Sequence, residues 1–262
     1  MTSLSAPSRL ALLGEVRVVP EALRMACARW HRAPHQLDTE PVMLLPGFGA
    51  GEGAMSPLAR HLEKYGVQAE HWGLGKNLAG LDIRHTLTDI SERWQPEPLE
   101  RYRGEAGVAY LCDRMVERVQ ERSQALGSKL TLIGWSLGGT ISREVARDLP
   151  EHVARVITLG SPVWGGPKYT AGSRRLAARG LDLDWIERQV IQRNQRPIQV
   201  PVTAIVSPSD GIVSHAATLD DHTPGIELRT LNISHLGMSI NPRVWAQIID
   251  VLDAAAQTRT PD

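Results

Sequence analysis

One ten-residue stretch constrains the fold more than any other: Leu130-Thr131-Leu132-Ile133-Gly134-Trp135-Ser136-Leu137-Gly138-Gly139. A mostly apolar run enters a Gly-x-Ser-x-Gly pattern, and a helix-compatible segment follows over residues 140–149. Strand, tight turn, helix is the order that presents a serine as a nucleophile at the edge of a sheet. A serine hydroxyl reacts poorly until it is held beside a base, with donors aimed at the developing oxyanion. Gly134 and Gly138 remove Cβ atoms that would clash where the backbone bends. The helix begins at Leu137, so the Leu137 amide faces the reacting centre and can donate to an oxyanion. The bare pattern is short enough to arise by chance; its place between a β-rich run and an amphipathic helix gives it weight.

The rest of the chain repeats strand, loop and helix. Residues 41–45 are apolar and enter Pro46-Gly47-Phe48-Gly49-Ala50-Gly51, which reads as a buried parallel strand ending at a site. Residues 55–65 read as a helix closed by Gly66, and 67–72 as a second strand opening into Gly73-Leu74-Gly75-Lys76-Asn77. A short helix is expected over 86–94 and a long one over 105–126. Strands are expected at 153–159, 202–206 and 226–231, with a terminal amphipathic helix at 242–256. Residues 8–33 place Leu10, Leu13, Val16, Leu23, Met25, Ala26 and Trp30 at helical spacing. This predicts one or two helices packed against the domain, with Pro20 in a first turn.

Alternation without internal repeats implies one α/β domain across residues 1–262, built on a doubly wound, mostly parallel sheet. Residues 161–199 interrupt the rhythm as a helical, lid-like and basic insertion. Asp184-Trp185-Ile186-Glu187 has the spacing of a helix cap there. The insertion's cations form either a solvated face or a lid that favours anionic substrates.

Bulk properties remove several classes. At 42% hydrophobic residues there is material for a sizeable core, and a formal net charge of zero gives no sign of a nucleic-acid partner. Cys27 and Cys112 are too few for a disulfide framework and read as buried free thiols. The N-terminus lacks a basic-then-apolar leader, and no run approaches the ~20 apolar residues of a membrane span. A soluble, cytoplasmic protein is therefore expected, with peripheral lipid contact left open and no signal of oligomeric state.

Serine chemistry needs a base, and the base needs an orienting acid. Of nine histidines, His235 stands directly after the final strand and before the final helix, with His215 and His222 in reserve. Asp210 follows the preceding strand, giving the chain order Ser136, Asp210, His235; Asp220 and Asp221 are alternatives. Asp210 would accept from His235 Nδ1–H and leave Nε2 to take the serine proton. A second oxyanion donor should come from the loop after the first apolar strand, where the Phe48 amide follows Gly47.

With these parts assembled, the chain resembles the α/β-hydrolase superfamily over nearly its whole length, and within it bacterial lipase-like and esterase-like acylhydrolases. Leu44-Leu45-Pro46-Gly47-Phe48-Gly49 looks like that group's oxyanion segment, with Pro46 where histidine is more usual. Thr158-Leu159-Gly160-Ser161-Pro162 and Trp72-Gly73-Leu74-Gly75-Lys76-Asn77 are similar to segments recurring in lipase-like members. The resemblance implies the triad Ser136, Asp210 and His235, and implies no metal and no cofactor. The expected activity is that of a serine carboxylic-ester hydrolase working on a small-molecule acyl ester through an acyl-enzyme. Trp135, Trp164 and Trp185 are candidates for the walls of an acyl pocket. The alternatives are an acyltransferase or thioesterase on the same triad, or a binding protein that keeps the fold without catalysis.

Overall fold

The chain enters through two helices, α1 (Arg9–Leu13) and α2 (Val18–Ala28), separated by a 3₁₀ turn at Gly14–Arg17. The structure, a computed structural model, describes residues 4–28 and 33–258; Trp30 and His31 lie outside them. There follow β1 (Val42–Leu45), α3 (Ser56–Lys64), β2 (Ala69–His71), α4 (Gly107–Leu126), β3 (Leu130–Trp135), α5 (Leu137–Asp148) and β4 (Val153–Leu159). Two helices, α6 (Ser173–Ala178) and α7 (Leu183–Asn194), occupy the interruption. Then come β5 (Val202–Val206), the single turn α8 (His215–Thr218), β6 (Glu227–Thr230) and α9 (Pro242–Gln257). The six strands form one parallel sheet in the order β2-β1-β3-β4-β5-β6.

Period-two alternation sorts each strand's side chains into two cores. Met43, Leu45, Leu130, Leu132 and Val156 pack against Met115 and Val119 of α4 and Ile141 and Val145 of α5. Val42, Leu44, Ile133, Ile157 and Ile205 face the other way, onto Leu58 and Leu62 of α3 and Trp245, Ile248 and Leu252 of α9. Burial on both faces is why the central strands read as continuous apolar runs. On the second face the His61 ring lies 4.8 Å from that of Trp245 and 5.3 Å from that of Tyr65. Burial, with the charge of Lys64 added, pushes its pKa down to about 4.

The unfolded chain therefore takes up this proton first as pH falls from 6.5. His61's contribution is complete above pH 6.5 and is lost progressively down to about pH 4. His61→Phe keeps a ring against Trp245 and removes the titration. Denaturant melts at pH 7 and pH 4.5 should show a smaller acid loss in the variant than in the wild type.

Four expectations are corrected. The N-terminal helices are turned over: Leu10, Leu13, Val16 and Leu23 are 66–77% exposed, whereas Glu15 and Glu21 are buried. Apolar spacing predicted the opposite, and the reason is that those carboxylates have buried amide partners. Residues 86–94 hold two 3₁₀ turns, Leu87–Asp89 and Glu92–Trp94, rather than a helix. The cap of α7 is Asp182, whose side chain accepts from the Trp185 amide at 2.9 Å, while Asp184 in the first turn pairs with Lys168 at 2.6 Å. Cys112 is buried, which pushes its thiol pKa well up, but Cys27 is exposed.

Candidate active site

The chain runs from β1 outward to β2 and then returns to β3 on the other side of β1. The carboxyl ends of β1 and β3 consequently border the crevice where ligands bind in open α/β sheets. Ser136 stands there, between β3 and α5, at φ 53° and ψ −121°. A non-glycine residue held so costs about 1–3 kcal/mol, and the surroundings enforce it. A Cβ on Gly134 would lie 2.3 Å from the Gly139 nitrogen, and one on Gly138 would lie 2.2 Å from the Leu45 carbonyl oxygen. The end of β1, the turn and the helix thus interlock without space for side chains at those two points. A Cβ on Gly47 would lie 3.2 Å from Ser136 Cβ, so the loop after β1 passes directly beside the serine.

Asp210 and His235 meet at this edge. His235 Nδ1 is 2.7 Å from Asp210 Oδ2, and both side chains are buried. The carboxylate's other oxygen accepts from the Ile212 and Val213 amides at 2.8 and 2.7 Å, which fixes its orientation. An anion on Nδ1 favours the tautomer with the proton there, leaving Nε2 as the acceptor. Trp135, the residue before Ser136, donates from its indole to the His235 carbonyl at 3.1 Å. That bond ties the histidine's backbone to the strand carrying the serine. Ser136 and His235 line the same cavity, of about 650 Å³.

Phe48 and Leu137 also line it. Among the described residues neither amide donates to a carbonyl or side chain. Asn77, fully buried, holds the Phe48 loop: its side chain donates to the Pro46 carbonyl at 2.8 Å, and its own carbonyl accepts from the Gly49 amide at 2.7 Å.

Two of the three tryptophans reach the cavity. Trp135 and Trp185 line it, the latter buried with its indole donating to the Glu97 carbonyl at 3.0 Å. Trp164 does not; its ring lies edge-on to His222 at 4.0 Å, away from the lining. The reserve residues are also placed elsewhere. His222 pairs with Asp221 at 3.0 Å, and neither it nor His215 lines the cavity. Asp220 pairs with the buried Arg143 guanidinium at 2.6 Å. Burial opposes its ionisation, yet Arg143 and hydrogen bonds at Thr223 and His222 hold its pKa below the ordinary carboxylate value.

The insertion's cations divide similarly. Lys168 pairs with Asp184 and Glu187, Arg188 with Glu97, and Arg193 with Glu144 and Asp148. Arg175 and Arg179 stand exposed on the cavity lining, as does Lys76.

Sequence reasoning missed three side chains here. Asn77 lay within a recognised segment, but nothing local marked it as the brace of a loop thirty residues earlier. Glu15, in the 3₁₀ turn between α1 and α2, and Glu21, in α2, reach the site from the N-terminal segment. Glu15 accepts from the Gly211, His235 and Leu236 amides at 2.8, 3.0 and 2.9 Å. Glu21 accepts from the Ser234 amide at 3.1 Å and from its hydroxyl. The one available signal was the pair itself, the two acids of a segment whose other charges, Arg9, Arg17 and Arg24, are basic.

An all-parallel sheet with a strained serine at its switch point and an Asp–His pair at the same edge defines an α/β-hydrolase architecture. Residues 40–202 match the alpha/beta hydrolase fold family, and the chain belongs to it. Among solved structures it is similar to the lipase BlEst2 of Bacillus licheniformis, at 15% identity and TM-score 0.55 over 86% of this chain and 95% of that one. It is likewise similar to the carboxylesterase CesB of Bacillus subtilis, at 14% identity and TM-score 0.51 over 91% and 98%. At such identities the likeness is one of fold. A 69-residue stretch is 30% identical to the biotin biosynthesis bifunctional protein BioHC of Teredinibacter turnerae, covering 26% of this chain and 11% of that protein.

Proposed function

We propose that this chain is a serine carboxylic-ester hydrolase acting through an acyl-enzyme. The observation that carries the reading is the buried Asp210–His235 hydrogen bond on the cavity where Ser136 is held in a strained turn. Ser136 Oγ attacks the ester carbonyl while His235 Nε2 takes its proton. The tetrahedral oxyanion accepts from the Phe48 and Leu137 amides, each donor of this kind being worth ~10² to 10³ in turnover. Collapse breaks the bond to the leaving alkoxide, and the imidazolium returns the proton to it as alcohol. Water then attacks the acyl-serine, His235 takes its proton, and the acid leaves with Ser136 restored.

The cavity's walls suit an apolar acyl group. Leu78, Val108, Leu137, Trp185 and Val190 face it, and its volume lies in the range of small-molecule sites. Residues 161–199 act as a lid in this reading, since α7 supplies one wall. A second reading, acyl transfer or thioester hydrolysis, draws on Lys76, Arg175 and Arg179 at the same cavity, where they would attract an anionic acyl carrier.

Hydrolysis of p-nitrophenyl esters from C2 to C16, beside acyl-CoA thioesters, tests both readings. The ester reading expects kcat/KM to be highest for esters of one chain-length range and fluorophosphonate labelling at Ser136. Faster turnover of acyl-CoA than of any ester would favour the second reading. Absence of labelling in the folded protein would count against both.

A further inference from the structure

We propose that Glu15, carried by the N-terminal segment, is a positioning residue of the active site. The inference rests on the hydrolase reading above. Its basis is one buried carboxylate shared between two loops. Glu15 Oε1 accepts from the amide of Gly211, the residue after the acid Asp210, and from the amide of His235, the base itself. Oε2 accepts from Leu236. Glu21 takes the preceding amide, so the N–H groups of residues 234, 235 and 236 all end on anions from the N-terminal segment.

The chemistry explains why a carboxylate is needed. Successive amides pointing one way form a small electropositive nest, and an anion satisfies them better than any neutral acceptor. A chain segment some two hundred residues away in sequence supplies it. The loop bearing Asp210 and the loop bearing His235 come from different strands, β5 and β6, and their hydrogen bond spans two backbones that could otherwise drift. A carboxylate bonded to both backbones fixes their separation. Contact is close enough that a Cβ on Gly211 would lie 2.3 Å from the Ala11 carbonyl oxygen of α1. This also accounts for the inverted helices: their apolar residues are exposed because the buried face is reserved for the two acids.

Displacement of a reacting group by about 1 Å costs on the order of 10² in rate. Glu15→Ala should accordingly lower kcat about 100-fold with KM within about twofold. Glu15→Gln keeps one oxygen to accept from the Gly211 and His235 amides but turns an NH2 donor toward the Leu236 amide and loses the charge, so it should recover only part of that loss. Leu13→Ser, on the exposed face of α1, serves as control and should match the wild type.

Amide hydrogen exchange on the same proteins provides the structural readout. In Glu15→Ala, protection should fall at residues 211, 235 and 236 and stay unchanged along β3. Folded Glu15→Ala with kcat within threefold of wild type, or unaltered exchange at those amides, overturns the proposal. So does a loss of activity that only tracks the folded fraction, or equal loss in Glu15→Gln. A wild-type protein that neither turns over esters nor labels counts against the hydrolase reading instead, and the exchange result still decides whether Glu15 braces the loops.

Discussion

Ser136→Ala is expected to lower ester turnover by ~10⁴ to 10⁶ while ester binding persists. The size follows from the proposed role of the hydroxyl: in that mechanism no acyl-enzyme forms without it, and only the proposed oxyanion donors and the cavity remain to assist water. Binding persists because the apolar walls are untouched. A second consequence separates this serine from an ordinary turn residue. Its backbone sits at φ 53° and ψ −121°, a conformation that alanine tolerates no better than serine but glycine adopts readily. Ser136→Gly should therefore be as inactive as Ser136→Ala and more stable than it by about 1 kcal/mol. Steady-state kinetics on a reactive ester with denaturant melts checks both. A variant with kcat within tenfold of wild type would remove Ser136 as the nucleophile.

The sheet was legible in the sequence because its central strands are buried on both faces. Runs such as Val42–Leu45 and Leu130–Trp135 leave no polar face to confuse the pattern, and glycine at the strand ends marks the turns. The three residues proposed as nucleophile, acid and base share a related sequence signal. Each follows a strand end in an open parallel sheet, where strand ends share an edge. What stayed hidden depends on partners distant in the chain. Periodicity could not show that Glu15 and Glu21 are buried, because the amides that donate to them belong to residues 211 and 234–236. Nor could it separate the insertion's paired cations from its exposed ones, since Glu97, Glu144 and Asp148 lie outside the insertion. Apolar character alone places Trp164 with the pocket residues, whereas its ring faces His222.

Asp210→Asn is expected to lower kcat by ~10³ to 10⁴, through the histidine's tautomer rather than through lost packing. Asparagine fits the same space, and its oxygen can still accept from the Ile212 and Val213 amides that now bond Oδ1. Its amide nitrogen would then face His235 Nδ1 and donate to it. The imidazole proton moves to Nε2, and the nitrogen proposed to take the Ser136 proton is no longer a base. Asp220→Asn provides the contrast. That carboxylate is matched to the Arg143 guanidinium in the interior, so its loss leaves a buried cation short of its counter-charge. Removing one partner of such a pair costs about 3–5 kcal/mol of stability. The two variants should therefore dissociate: Asp210→Asn near wild-type stability and nearly inactive, Asp220→Asn destabilised yet turning over ester at a similar rate per folded molecule. Kinetics normalised to folded protein, with urea melts on both, measures this directly. Activity retained in the first and lost in the second would transfer the acid's role to Asp220 and require His235 to be oriented by some group other than Asp210.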